Sequence, residues 1–148
     1  MKDWSKKRYW IVGASEGLGL ALAQKMSEAG ASLILTARNE ARLKEIASTL
    51  PNEVEVLPLD ITDLNAVRKS VKKLENVDGF VFLAGAYWPM PAQHWDIEKL
   101  TAMIDVNLIG ALHTLDVILP IFLEKNRGHL VFTGSLAGYR GLPGALGY

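Results

Sequence analysis

The chain has 148 residues, 49% of them apolar and 22% charged, with 16 Lys+Arg against 16 Asp+Glu and no cysteine. This is the composition of one soluble globular domain with a sizeable core, and it excludes a disordered or fibrous chain. Zero net charge gives no electrostatic drive toward nucleic acid or an anionic membrane; without cysteine there is no disulfide framework, thiolate chemistry or Cys-based metal site, which suits the cytoplasm.

Basic residues Lys2, Lys6, Lys7 and Arg8 precede an apolar stretch, but "YWIVGASEGLGLALA" is interrupted by Glu16 and by glycines and does not read as a signal peptide. "RYWIVGA" (8–14) reads as a buried strand, and residues 17–29 as a helix stopped by Gly30. "SLILTA" (32–37) is the second strand. Asn39 can cap a helix whose Leu43, Ile46, Ala47 and Leu50 share one face, with Pro51 beyond its end. "VEVLPL" (54–59) is the third strand, followed by a helix capped by Thr62 with Leu64, Val67, Val71 and Leu74 on its inner stripe. "GFVFLAG" (79–85) is the fourth strand and leads into an aromatic, proline-rich loop, "AYWPMPAQHWD".

Asp96 caps a long helix running to residues 119–124, which Pro120 bends or ends. Its run "LIGALHTLDVILPIFL" carries His113, Asp116 and Pro120 and makes a poor membrane span. "GHLVFTGS" (128–135) is the fifth strand. Strands apolar throughout belong in a parallel sheet covered on both faces. Their alternation with helices through right-handed crossovers predicts a doubly wound α/β fold over residues 1–148 as one domain.

The first strand runs into Gly13-Ala14-Ser15-Glu16-Gly17-Leu18-Gly19 at the start of a helix. Gly13 permits a tight turn, Gly17 lets a backbone approach a pyrophosphate, Gly19 allows close packing, and the helix N-terminus offers N–H groups to phosphates. The alternative is a plain turn; the position in the first strand–helix unit favours the dinucleotide reading. At the end of the second strand, where an NAD site has a carboxylate for the ribose 2′-hydroxyl, stand Ala37 and Arg38. A guanidinium pairs with a 2′-phosphate and a carboxylate repels one, so Arg38 favours NADP(H) over NAD(H). The alternative for any single arginine is a solvated loop side chain, and the charge of Glu16 in the same region works against the phosphate. The missing acid also weakens a methyltransferase reading. His94, His113 and His129 lack metal-ligand spacing, so no metal site is expected.

With these residues and those that follow, the chain resembles the short-chain dehydrogenase/reductase family. "GASEGLG" is similar to its cofactor turn; "LDIT" places Asp60 and Ile61 after the third strand, where the family contacts adenine; "LAGA" places Ala84 and Gly85 in its Asn-Ala-Gly motif, with Leu83 in place of Asn. "DVNLIG" supplies Asn107 and "FTGSLAG" supplies Ser135, and Tyr148 follows Ser135 by the family's usual interval. The resemblance implies a Rossmann-type sheet of order 3-2-1-4-5 with the C-terminal part of the family fold missing. It implies hydride transfer between a nicotinamide and a carbonyl or alcohol. Tyr148 would be the acid or base, Ser135 would hold the substrate oxygen, and Asn107 would hold a water in a proton relay. It also implies a homo-oligomer, dimer or tetramer, formed through the long helix 97–124.

The family's activating lysine lies four residues after the tyrosine, beyond the last residue here. A free phenol titrates near ~10, and lowering it to neutrality takes roughly 4 kcal/mol of differential stabilisation. The expectations are that the natural chain continues past Tyr148 and that these 148 residues alone are catalytically impaired. A non-catalytic dinucleotide-binding module is the competing reading, which needs neither Ser135 nor Tyr148; an enzyme acting on nucleotide sugars is disfavoured by the glycine spacing. Tyr87, Trp88, Met90 and Trp95 either line a substrate pocket or pack as an ordinary loop.

Overall fold

The computed structural model describes residues 4–148; Lys2 of the basic N-terminal cluster lies outside them. Five parallel strands, β1 (Arg8–Val12), β2 (Ser32–Thr36), β3 (Val54–Val56), β4 (Gly79–Phe82) and β5 (His129–Phe132), pair in the order β3-β2-β1-β4-β5. Between them run α1 (Gly17–Glu28), α2 (Glu40–Thr49), α3 (Leu64–Lys69), α4 (Val71–Leu74), α5 (Ile97–Ile104) and α6 (Gly110–Glu124). This is the doubly wound arrangement expected from the apolar strands. Alternate residues of one strand serve opposite faces: Trp10 and Val12 pack with Phe80, Ile118 and Phe122, while Tyr9 and Ile11 pack with Ala23, Met26, Leu43 and Ile46.

The strands are shorter than their apolar runs, because the ends of those runs turn into the loops that carry the site. Gly13, at φ +91°, ends β1. Beyond β3 the pairing continues without regular strand: the N–H groups of Leu57 and Leu59 donate to the carbonyls of Leu35 and Ala37. Asn39 caps α2 as expected, its side chain accepting from Arg42 N at 3.0 Å. Gly30, at φ +99°, follows the end of α1.

Two helix expectations are corrected, and the long helix ends at Glu124, within the expected 119–124. Asp63, not Thr62, caps the third helix; its carboxylate accepts from the N–H groups of Asn65 and Ala66, while the Thr62 hydroxyl donates to Asp60 Oδ1 at 2.7 Å. That helix is also broken at Ser70, which leaves Val71 exposed and off the buried stripe formed by Val67 and Leu74. The long helix carries a π turn over Asp105–Ile109, in which Gly110 N–H reaches back to Asp105 O. Pro120 does not end it: Pro120 and Asp116 are both exposed, so the carbonyl that loses its donor is open to water.

By length and composition, Ile97–Glu124 could cross a membrane. In the fold, Val117, Ile118 and Phe122 of this helix lie in the core beneath the sheet, while Ile104, Leu108 and Leu112 are exposed.

Candidate active site

A cleft of about 440 Å³ opens where the loops after β1, β2, β3 and β4 converge. Every residue assigned to cofactor binding from the sequence lines it: Gly13, Ser15, Glu16, Gly17, Leu18 and Gly19 from the first turn, Arg38 from the second, Asp60 and Ile61 from the third, and Ala84 and Gly85 from the fourth. Their convergence follows from the topology, since parallel strands present all their C-terminal ends on one edge.

The glycines divide the work of the first turn. A Cβ on Gly13 would lie 2.5 Å from Ala84 N, so both its positive φ and the adjacent β4 loop require glycine. A Cβ on Gly19 would lie 2.0 Å from Gly13 O, which shows how closely α1 seats on the turn. Gly17, at φ +53°, has nothing within 4 Å of its Cβ position and borders open space in the cleft. The first bond of α1 runs from Leu20 N–H to Glu16 O, so Gly17, Leu18 and Gly19 precede the first intrahelical donor. Glu16, the N-cap, makes no side-chain cap bond. Those N–H groups and the positive end of α1 suit a pyrophosphate.

The turn is anchored to β2: Gly13 N–H and Ala14 N–H both donate to Thr36 O, at 2.8 and 3.1 Å. Arg38 follows two residues after β2, exposed on the cleft wall, with no ion pair within 4 Å among the described residues. Asp60 faces it. The Thr62 hydroxyl and amide hold the Asp60 carboxyl below the ordinary carboxylate range against the opposing effect of burial, and the Arg38 charge adds to the lowering. Ile61 is fixed by its carbonyl, to which His113 Nδ1 lies at 2.9 Å; a carbonyl only accepts, so His113 carries the proton on Nδ1.

Leu83, where the family motif has Asn, packs against the Tyr9–Ile11 side of the core while its N–H donates to Val12 O. The brace for this loop comes instead from Asn107. Its Oδ1 accepts from Ala86 N at 2.8 Å and its Nδ2 donates to Ala86 O at 2.9 Å. Asn107 stands in the π turn, whose extra residue accompanies the turn of this amide onto the loop. The expected water-holding amide is thus engaged with backbone on one face.

Ser135 and Tyr148 do not line the cleft. The Ser135 hydroxyl oxygen accepts from Ala137 N at 3.1 Å at the start of a 3-10 turn, Leu136–Gly138. The Tyr148 ring lies 4.6 Å from the ring of Tyr87, and both are nearly half exposed. The final loop is docked on the β4–α5 loop by Met90 N–H to Gly144 O at 2.8 Å and by the approach of Gly147 to Met103 and Leu100. Tyr148 is therefore delivered to the aromatic loop, and Trp88 of that loop lines the cleft. Among the described residues no cluster of three or more potential metal ligands occurs.

Sequence reasoning missed Arg42 and Asn39 as parts of the site. Asn39 lines the cleft beside Arg38, and Arg42 Nε donates to Ser15 O at 3.3 Å, reaching the glycine turn from α2. A basic residue four positions after Arg38 was the available signal, but only the packing of α2 against the first turn shows which way it points.

The model of the short chain dehydrogenase family matches residues 7–148. An uncharacterized oxidoreductase of Staphylococcus epidermidis is 35% identical over 133 residues, covering 87% of this chain and 58% of that protein. A counterpart from Staphylococcus saprophyticus is 32% identical over 137 residues with the same coverage. Among solved structures, serine dehydrogenase from Escherichia coli superposes with a TM-score of 0.88 at 27% identity, covering 95% of this chain and 68% of that one. A closed form of serine dehydrogenase complexed with NADP+ gives 0.89 at 27% identity, covering 95% and 59%. The chain thus spans under two thirds of the length of the Staphylococcus relatives. With the strand order, the glycine turn and a family match that runs from the start of β1 to Tyr148, the chain belongs to the short chain dehydrogenase family.

Proposed function

We propose that the chain is the cofactor-binding part of an NADP(H)-dependent oxidoreductase acting in the cytoplasm on a small carbonyl or alcohol. The observation that carries this reading is Arg38 on the cleft wall directly after β2, with no carboxylate at that strand end and the N–H groups of the Gly17–Gly19 turn facing the same space. The NADP+ in a serine dehydrogenase neighbour supports it. When bound, the nicotinamide supplies or takes the hydride.

Around it, Arg38 would pair with the 2′-phosphate, Asp60 would accept from the adenine amine, and the α1 N-terminus would hold the pyrophosphate. Tyr148 would exchange a proton with the substrate oxygen once its ring leaves Tyr87, and Ser135, whose oxygen accepts from Ala137 N–H, would donate its own O–H to that oxygen. A second reading, a dinucleotide-binding module without chemistry, is supported by the placement of Ser135 and Tyr148 outside the cleft lining. Carbonyl reduction by the purified chain, even at a rate lowered by the missing lysine, would exclude the second reading.

The cofactor reading is tested by fluorescence titration with NADPH and NADH. The wild-type chain is expected to prefer NADPH, and Arg38→Glu to reverse that preference by at least about tenfold, the worth of one charge-assisted contact. Equal affinities in the wild type would count against Arg38.

A further inference from the structure

Resting on the dinucleotide reading above, we propose that Arg42 is a positioning residue that sets the pyrophosphate turn from helix α2. Arg42 belongs to two structures at once. Its backbone N–H donates to Asn39 Oδ1 at 3.0 Å, closing the cap of α2 immediately after Arg38. Its side-chain Nε donates to the carbonyl of Ser15, the residue before Glu16 in the glycine turn. Nη1 is drawn the other way, to Glu45 at 2.7 Å, which fixes the plane of the guanidinium along α2.

The consequence lies in the peptide that follows Ser15. Gly13 and Ala14 are already tied to β2 through Thr36 O, and α1 takes over with the bond from Leu20 N–H to Glu16 O. Ser15 is the stretch between these anchors, and among the described residues the Arg42 guanidinium is the group from another element that holds its carbonyl. A carbonyl held toward α2 sets the orientation of the Ser15–Glu16 peptide, and with it the direction of the N–H groups that open α1. The bond therefore couples the β2–α2 corner, where Arg38 and Asn39 lie, to the pyrophosphate cradle. It acts on the part common to both nicotinamide dinucleotides, so Arg42 controls affinity while Arg38 controls the choice between them.

The test compares Arg42→Ala, Arg42→Lys and Arg38→Ala with the wild-type chain, titrating each with NADPH, NADH and ADP-ribose and recording its thermal midpoint. Arg42→Ala is expected to weaken all three ligands by the same factor, up to about tenfold, the worth of one hydrogen bond from a charged donor. Its NADPH-to-NADH ratio stays at the wild-type value, and its thermal midpoint falls slightly, with the chain still fully folded at the temperature of the titration. Arg42→Lys, which keeps the charge and loses the Nε–H, behaves as Arg42→Ala does, and Arg38→Ala changes the ratio. A loss confined to NADPH and restored by Arg42→Lys would overturn the proposal, because Arg42 would then act as a charge on the 2′-phosphate. Unchanged affinities in Arg42→Ala, with a wild type that binds, would overturn the role of Arg42 alone. A wild type that binds none of the three overturns the cofactor reading and this proposal with it.

Discussion

Thr36 joins the core to the cleft with one residue. Its hydroxyl oxygen accepts from the fully buried Trp10 Nε1 at 2.8 Å, and its carbonyl takes both N–H groups that begin the glycine turn. Replacing it with valine keeps the shape but orphans the indole N–H in an apolar layer. Thr36→Val is expected to cost about 1–3 kcal/mol, read as a shift of the urea midpoint at constant slope. Asp60 makes a pH-dependent contribution. Its folded-state pKa is lowered, first by the Thr62 hydroxyl and then by the Thr62 amide, so the ionised form is favoured by folding. That contribution is present above the unfolded-state pKa, near ~4, and is lost as pH falls through the lower folded value. The stability difference between wild type and Asp60→Asn should therefore be constant from pH 5 to pH 7, by denaturation, and shrink below about pH 4.

At the scale of elements, the β4–α5 connection is held by a helix that departs from α geometry. The π turn Asp105–Ile109 places Asn107 so that its amide satisfies both backbone groups of Ala86. Asn107→Ala removes both bonds and should destabilise the chain by about 1–3 kcal/mol in chemical denaturation. Asn107→Asp keeps the acceptor for Ala86 N–H but sets a carboxylate oxygen against Ala86 O, so its loss should be greater at pH 7 than at pH 4. The glycine turn was legible in the sequence because each glycine answers a local demand: a positive φ at Gly13, an open side at Gly17, a close approach at Gly19. The break at Ser70 was not legible, because Leu64, Val67, Val71 and Leu74 fit one helical stripe equally well whether or not the helix is continuous. The capping error at Thr62 has a similar cause: two adjacent residues can each cap, and the hydrogen bond from Thr62 to Asp60 leaves Asp63 for the helix.

Over the whole molecule, the sheet has one edge at β3 and another at β5, and the two differ. Leu130 and Phe132 of β5 are exposed, whereas Phe132 still contacts Phe80 and Phe82 at 5.5 and 5.8 Å between rings. β5 is also tied across its neighbour: Tyr9, Gly79 and His129 share one register row, and the Tyr9 ring crosses the bare glycine so that its hydroxyl reaches His129 Nδ1 at 2.9 Å. On the outer face of the long helix, Ile104, Leu108 and Leu112 expose 40%, 55% and 52% of their surface, an apolar stripe of the sort that covers itself by association. If that stripe is the contact between copies, Leu108→Glu with Leu112→Glu should shift the sedimenting species toward the monomer while leaving NADPH affinity intact. Unchanged sedimentation would place the contact elsewhere.

Much of this protein is determined by patterns a few residues long: apolar runs that become parallel strands, caps at Asn39 and Asp96, and a glycine spacing that fits a phosphate turn. Those are local because backbone conformation and side-chain periodicity act over one or two turns. Tertiary structure alone decided that Asn107 clamps Ala86 across 21 positions and that Arg42 reaches Ser15 across 27. It also decided that Ser135 and Tyr148, thirteen residues apart in the sequence, contact Ala137 and Tyr87 rather than line the cleft. Each of these choices depends on which loop is packed beside which, and a polar side chain takes the partner that packing brings within hydrogen-bonding distance.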